Sequence, residues 1–382
     1  LKEKTMKEKN KRRWWMWVVV ALVFVVYAAT MLVVRLNNPI HLQKTVYQQW
    51  KQDYLVTRGQ ATFVNAGTTK HPAGLSEAQG YGMMITAVAG QRGWASQKEF
   101  DRLLNYYLSE RDVVDNKQTA LMKWRQYQKD GQWVSDANSA TDGDLYIADS
   151  LALAAKTWPK RAAYYHRLEK ALANDILAYE YNPATKVLMT GDWVDAKSRY
   201  YKLMRTSDVM PTVFDQLAKD TGNQQWASVK NQMLDRLVDL SNQHKTGLVP
   251  DFAWVTAKSA KPVGANTIAS KYDGDYWFNA CRVPYLLATS KDPRAKKVLN
   301  KMMKFFAKQY EVFSGYTLKG KPILKRKNAG FSAPIFYAVN HNRNQGYDNL
   351  FNSEKSIYAQ RLNQNDYYGA TLTTLVAVEG WK

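Results

Sequence analysis

Residues 138–150 read NSATDGDLYIADS, an acidic loop that runs straight into an apolar-periodic segment. Leu145, Ile147, Ala148, Leu151 and Leu153 give that segment a broad apolar face, which predicts a core helix over 143–156. Capping or the helix macrodipole accounts for one acid at such a helix start. It does not account for Asp142 and Asp144 together beside Thr141, whereas recognition of sugar hydroxyls or of calcium accounts for both.

The same pattern recurs on either side. Helical spacing of apolar residues predicts helices over 76–92, 96–108, 161–177, 207–219, 223–242, 279–290, 293–314 and 363–376, and TVYQQWKQDYL at 45–55 reads as helical. Strong strand runs are scarce and no G-x-G-x-x-G follows one, which disfavours a doubly wound nucleotide-binding fold. No fixed ~34- or ~40-residue motif repeats, so a closed helical toroid is a better expectation than an open solenoid.

Three more segments carry chemistry-bearing residues. LSEAQGYGMM at 75–84 offers Ser76 as a cap and Glu77 in a first helical turn, with Gly80 and Gly82 permitting close approach. Glu77 could serve the macrodipole alone or act as a catalytic acid. RTSDVMP at 205–211 offers Ser207 or Asp208 as a cap. YDGDYW at 272–277 leads into NACRVPYLLA at 279–288, where Arg282 enters an apolar helix start and calls for a carboxylate partner. Trp124, Trp133 and Trp193 stand near loops and could stack on sugar rings.

Trp14–Val34 reads WWMWVVVALVFVVYAATMLVV, with no charge. A run of that length spans a hydrocarbon core of ~30 Å. Lys7, Lys9, Lys11, Arg12 and Arg13 precede it, so the positive-inside rule keeps residues 1–13 in the cytoplasm and places the rest outside. A cleaved signal peptide is the competing reading, but its apolar region is shorter (~7–15 residues) and ends in an A-x-A-like site, absent here. The expected organisation is a basic tail at 1–13, a transmembrane anchor at 14–34, a linker at 35–44 and one exterior domain at 45–382. The chain opens on Leu1 rather than Met, which reads as a truncated N-terminus with Met6 as an alternative start.

The formal charge is +21, of which residues 1–35, with eight basic and two acidic residues, leave about +15 to the exterior part. Such a surplus suits an anionic envelope polymer, and a merely solvated basic face accounts for it equally well. No zinc finger, helix-turn-helix or RNP-like motif accompanies it, so nucleic acid is not expected. Cys281 is the single cysteine, and His41, His71, His166, His244 and His341 are scattered, which argues against disulfides and zinc chemistry. No cofactor is called for.

LSEAQGYGM, ATDGDLYIA, GDW at 191–193 and NACRVP, in this order, resemble glycoside hydrolase family 8 over about residues 45–380. The resemblance implies an all-α (α/α)6 barrel and inverting endo-hydrolysis of a β-1,4-linked polysaccharide; the N-terminal transmembrane helix read from the apolar run precedes that barrel and places its polymer, a β-glucan or exopolysaccharide, outside the cell. It implies Glu77 as general acid and Asp142 as the residue that positions and distorts the sugar. Asp144 and Arg282 resemble supporting residues, and Trp124, Trp133 and Tyr201 candidate sugar contacts. Asn279 stands where many members carry a base aspartate, and an amide accepts no proton. The chitosanase-like subgroup also has asparagine there, and RTSDVMP resembles that subgroup, so a chitosanase is an alternative. Asp251, Asp273 and Asp275 are the candidate bases; with none of them effective, the cleft would be a non-hydrolytic carbohydrate-binding scaffold.

Overall fold

A computed structural model describes residues 2–36 and 38–381, with side chains described for 13–34, 38–343 and 345–381. Helix α1 (Lys2–Leu36) contains an apolar stretch, Arg13–Val34, of 22 residues with none buried against the rest of the chain. It is long enough to cross a bilayer.

The other helices among the described residues are α2 (Pro39–Tyr54), α3 (Ser76–Gln91), α4 (Gln97–Ser109), α5 (Thr141–Thr157), α6 (Ala162–Asp175), α7 (Pro211–Thr221), α8 (Gln225–Asn242), α9 (Val283–Leu287), α10 (Pro293–Phe306), α11 (Ala329–His341), α12 (Asp348–Lys355) and α13 (Tyr367–Glu379). Helices α3, α5, α7, α9, α11 and α13 each pack on the next, and α13 returns to α3. Each carries an outer partner: α4, α6, α8, α10, α12 and, for α13, α2. The result is a closed ring of six helical pairs, five of them hairpins and the sixth formed by α13 with α2, an (α/α)6 barrel.

Burial divides the two rings by sequence. Outer helices are amphipathic: α4 buries Phe100, Leu103, Leu104 and Tyr107, and a Ser96–Glu99 capping box starts it. Inner helices are enclosed on both sides, so α11 is buried continuously from Gly330 to Val339 and α13 from Gly369 to Val378. The two ends of the domain lock together and onto α3. Gln43 Nε2 donates to the Trp381 carbonyl at 3.0 Å, Trp50 Nε1 to Thr371 Oγ1 at 3.0 Å, and Arg92 Nη2 to the Glu379 carbonyl at 2.9 Å.

Several expected boundaries move. The linker expected at 35–44 already contains the start of α2, because Asn38 caps it, Pro39 occupies its first turn and Gln43 is buried. The helix expected over 207–219 is a 3-10 turn at Thr206–Asp208, then α7 from Pro211, whose ring fits a helix start. The helix expected over 279–290 contracts to Ala280–Arg282 plus α9, and that over 293–314 ends at Phe306. Helices α11 and α12 were not expected. Short antiparallel strands decorate the loops; Leu203–Arg205, Phe252–Val255 and Ala260–Pro262 form one three-stranded sheet, pairing Met204 with Ala253.

Candidate active site

Inner helices α3 and α5 begin side by side. A Cβ on Gly80 would lie 2.5 Å from Tyr146 Cβ, and one on Gly143 would lie 2.2 Å from Ser76 Oγ. Only glycine lets the two first turns approach so closely. Glu77 and Asp142, one residue into each helix, are thereby brought together. Arg282, at the start of α9, reaches both: its Nη1 donates to Glu77 Oε2 at 3.0 Å and to Asp142 Oδ2 at 2.9 Å. Its Nη2 donates to Ser207 Oγ at 2.7 Å and to Asn279 Oδ1 at 2.8 Å. The beginnings of four consecutive inner helices thus meet on one guanidinium, which is 1% exposed.

A second arginine, Arg205, pairs with Asp142 Oδ2 and lies 3.7 Å from Asp208. Burial opposes ionisation of Asp142, but Arg205 and Arg282 overcome it and hold the carboxyl well below its ordinary range. Glu77 goes the other way. Burial pushes it up to about 7, with the Asp142 charge adding to the rise and Arg282 countering it. One carboxyl therefore keeps its proton near neutrality while its neighbour stays charged, the division of labour needed for acid chemistry. Because both bond to the same nitrogen, the two lie closer together than the ~6.5–9.5 Å of an acid and a water-activating base.

These groups open into a cleft of about 440 Å³ lined by Glu77, Asp142, Asn279, Arg205, Trp124, Trp193, Phe252 and Ile268, among others. Trp124 and Trp193 are 39% and 40% exposed and offer faces on which sugar rings can stack. The Trp124 carbonyl accepts from Ser76 N at 2.9 Å, tying that wall to the start of α3.

Other candidates stand behind the cleft and do not line it. Asp144 is fully buried: Oδ1 accepts from Met122 N at 2.8 Å, and burial beside Glu180 keeps its carboxyl well above the ordinary range. Glu180 accepts from Ser139 Oγ at 2.5 Å, and Asp192 from Ser139 N at 2.8 Å, so these acids brace the loops beside Trp193. Asp251 is saturated: Oδ1 accepts from Trp277 N (3.0 Å) and Ala280 N (2.7 Å), Oδ2 from Asn279 N and Nδ2 (both 3.1 Å). It positions Asn279 from behind, and the amide it holds stands between it and the cleft. Asp273 accepts three backbone N–H bonds, from Ile268, Ala269 and Ser270, and organises its own loop. Asp275 accepts from the Leu318 backbone; burial raises its pKa. Trp133 packs on Phe63 under the Arg58 guanidinium, and Tyr201 lines a separate groove with Lys202 and Trp254. Asp251 and Asp273 thus commit their carboxylates to backbone and amide donors and Asp275 to the Leu318 backbone, Trp133 is packed on Phe63, and Tyr201 lines a groove of its own, so none of the five joins Glu77 and Asp142 in lining this cleft. Arg205 and Ser207 were missed as site residues, although a cation in an apolar stretch was the signal that singled out Arg282.

Residues 11–381 match the profile of the glycosyl hydrolases family 8. The chain belongs to glycoside hydrolase family 8. A β-glucanase of Niallia circulans is 31% identical over 304 residues, 76% of this chain and 73% of the relative. An endoglucanase of Bacillus sp. (strain KSM-330) is 28% identical over 359 residues, covering 86% and 74%. Among solved structures, a β-1,3-1,4-glucanase of Paenibacillus sp. X4 superposes with a TM-score of 0.76 at 27% identity, covering 89% of this chain and 92% of that one. This family 8 chain is accordingly an endo-acting glycosidase.

Proposed function

We propose that the chain hydrolyses a β-1,4-linked or mixed-linkage β-glucan with inversion, using Glu77 as general acid. The observation that carries this reading is the opposed charge state of Glu77 and Asp142 around Arg282. Glu77 gives its proton to the leaving oxygen. Asp142, held ionised by two arginines, faces the positive charge that develops at the sugar carbon. The relatives' names, β-glucanase and endoglucanase, support glucan over chitosan.

Asn279 holds the attacking water. Its amide is fixed at both ends, with Oδ1 on Arg282 and Nδ2 on Asp251, and its carbonyl oxygen has a second lone pair for a water proton. Glu77 and Asp142 are the carboxylates among the residues that line this pocket, and Asn279 faces it beside them. On this reading water attacks the cationic carbon while hydrogen-bonded to Asn279, and its proton passes to bulk solvent once the new C–O bond has formed, at a cost of ~10²–10⁴ in rate relative to an enzyme with a carboxylate base. Arg13–Val34 is read as an anchor that holds the catalytic domain outside the cell beside its polymer.

The test is product formation from β-1,4-glucan, mixed-linkage glucan, xylan and chitosan by the wild type and Glu77→Gln, read by mass and anomeric form. Glu77-dependent release of α-anomer products from glucan is expected. Initial β-anomer products, or equal release by Glu77→Gln, would sink the reading.

A further inference from the structure

The far end of the barrel carries a second convergence of chemistry. Asp142 opens α5, whose 17 residues run ~24 Å away from the cleft before the chain turns into α6. His166 and Glu169 lie near the middle of α6, and Asp220 lies in the last turn of α7, which likewise starts at the cleft end. His166 Nδ1 stands 2.8 Å from Glu169 Oε2 and 3.9 Å from Asp220 Oδ2. One donor atom from each residue lies within 4.8 Å of the other two.

The environment asks for a cation. Glu169 is 1% exposed, and its Oε1 is buried without a hydrogen-bond partner. The Asp220 carboxyl faces that of Glu169, and neither pairs with a lysine or arginine among the described residues. Two carboxylates brought together in this way repel unless a proton or a cation stands between them. Gln216 Nε2 donates to Asp220 Oδ2, and Lys156 Nζ donates to Gln216 Oε1 at 2.9 Å, so the aspartate is aimed from outside. His166 is 45% exposed and leaves a path from solvent.

We propose that His166, Glu169 and Asp220 form a binding site for a divalent transition metal, best matched by Zn²⁺, that clips α6 to α7. One imidazole and two carboxylates suit zinc, cobalt or manganese, whereas calcium prefers all-oxygen shells. Bonds of ~2.0–2.2 Å in a tetrahedral shell place ligand atoms ~3.4 Å apart, and the observed 2.8 and 3.9 Å bracket that value. The site is structural, since the catalytic cleft lies at the other end of α5 and α7. Scattered histidines in the sequence conceal it, because the third ligand comes from a different helical hairpin.

The test uses the full chain in mild detergent, stripped with EDTA. Zn²⁺ alone is titrated by calorimetry, Co²⁺ by visible absorption, and melting is followed with and without Zn²⁺. One Zn²⁺ per chain, cobalt d–d bands and a Zn²⁺-dependent rise in Tm are expected. His166→Gln, at an exposed position that need not disturb folding, should weaken Zn²⁺ binding at least tenfold and abolish the Tm rise; Glu169→Gln should do the same. Absence of saturable uptake by the wild type overturns the site and leaves a histidine shared between two acids. Uptake by folded His166→Gln equal to the wild type's also overturns it, because the metal then sits elsewhere. Glucan hydrolysis by metal-free His166→Gln should match that of the metal-free wild type.

Discussion

Replacing Glu77 by glutamine should make the protein more stable at pH 8 while removing its activity. In the folded chain Glu77 titrates near 7, against an ordinary 4.5, chiefly because it is buried. Below pH 4.5 the group is protonated in both folded and unfolded states and contributes nothing to the difference. Above that, the unfolded chain ionises freely while the folded chain holds its proton, so stability falls as pH rises and levels off above about 7. Holding the proton from an ordinary 4.5 up to about 7, at 1.36 kcal/mol per pH unit, amounts to about 3 kcal/mol. Unfolding entropies near 2.1 cal/mol/K per residue, over some 340 residues, convert this to about 4 °C in Tm. Glutamine keeps the shape and carries no charge, and Arg282 retains Asp142 as its partner. Melting curves of both proteins at pH 4 and pH 8 provide the assay. Glu77→Gln should melt with the wild type at pH 4 and about 4 °C above it at pH 8. An equal shift at both pH values, or a lower Tm at pH 8, would refute the claim that burial holds the proton on Glu77.

The same titration sets the pH–rate profile. kcat/KM of the wild type on glucan should decline above a midpoint near pH 7, as the acid loses its proton, and a profile flat to pH 9 would exclude Glu77 as that acid. Asp251→Asn leaves one carbonyl oxygen to serve four donors; it should cost about 1–3 kcal/mol in denaturant titrations and lower kcat by releasing Asn279. Trp193→Ala should raise KM for glucan by roughly 3–10-fold with kcat within about twofold, as expected for a stacking face worth ~0.5–1.5 kcal/mol; unchanged KM would remove Trp193 from the sugar path.

The legible parts of the fold are those whose physics is local. Outer helices such as α4 and α10 separate an apolar stripe from a charged face, and that spacing is visible along the chain. Inner helix α11 is enclosed on all sides, so its sequence, AGFSAPIFYAVNH, is apolar without a period and carries Pro334 inside it. It therefore offers no amphipathic signal and one misleading breaker. Glu77, Asp142 and Arg282 stand out along the chain because each is a charge at the start of an apolar helix, and the fold brings the three together. The saturation of Asp251 is not, because its donors lie 26–29 residues further along the chain, on a turn whose approach only the folded barrel sets. Trp133 could not be told from Trp124 by sequence, since an indole reads the same whether it faces a cleft or a packed wall, and nothing along the chain shows that Tyr201 lines a different groove from Trp124.

The bond from Gln43 to the Trp381 carbonyl spans 338 positions and fastens the first outer helix to the last inner one. A ribosome adding ~5–20 residues per second needs roughly 17–70 s to produce that partner once Gln43 has been made. Throughout the interval the flank of α3 that α13 will cover stays open, and local helices form while the ring remains unclosed. Contacts of such long sequence separation are the slow ones to form. The nascent chain is therefore most vulnerable to association with its neighbours just before synthesis of α13 is complete.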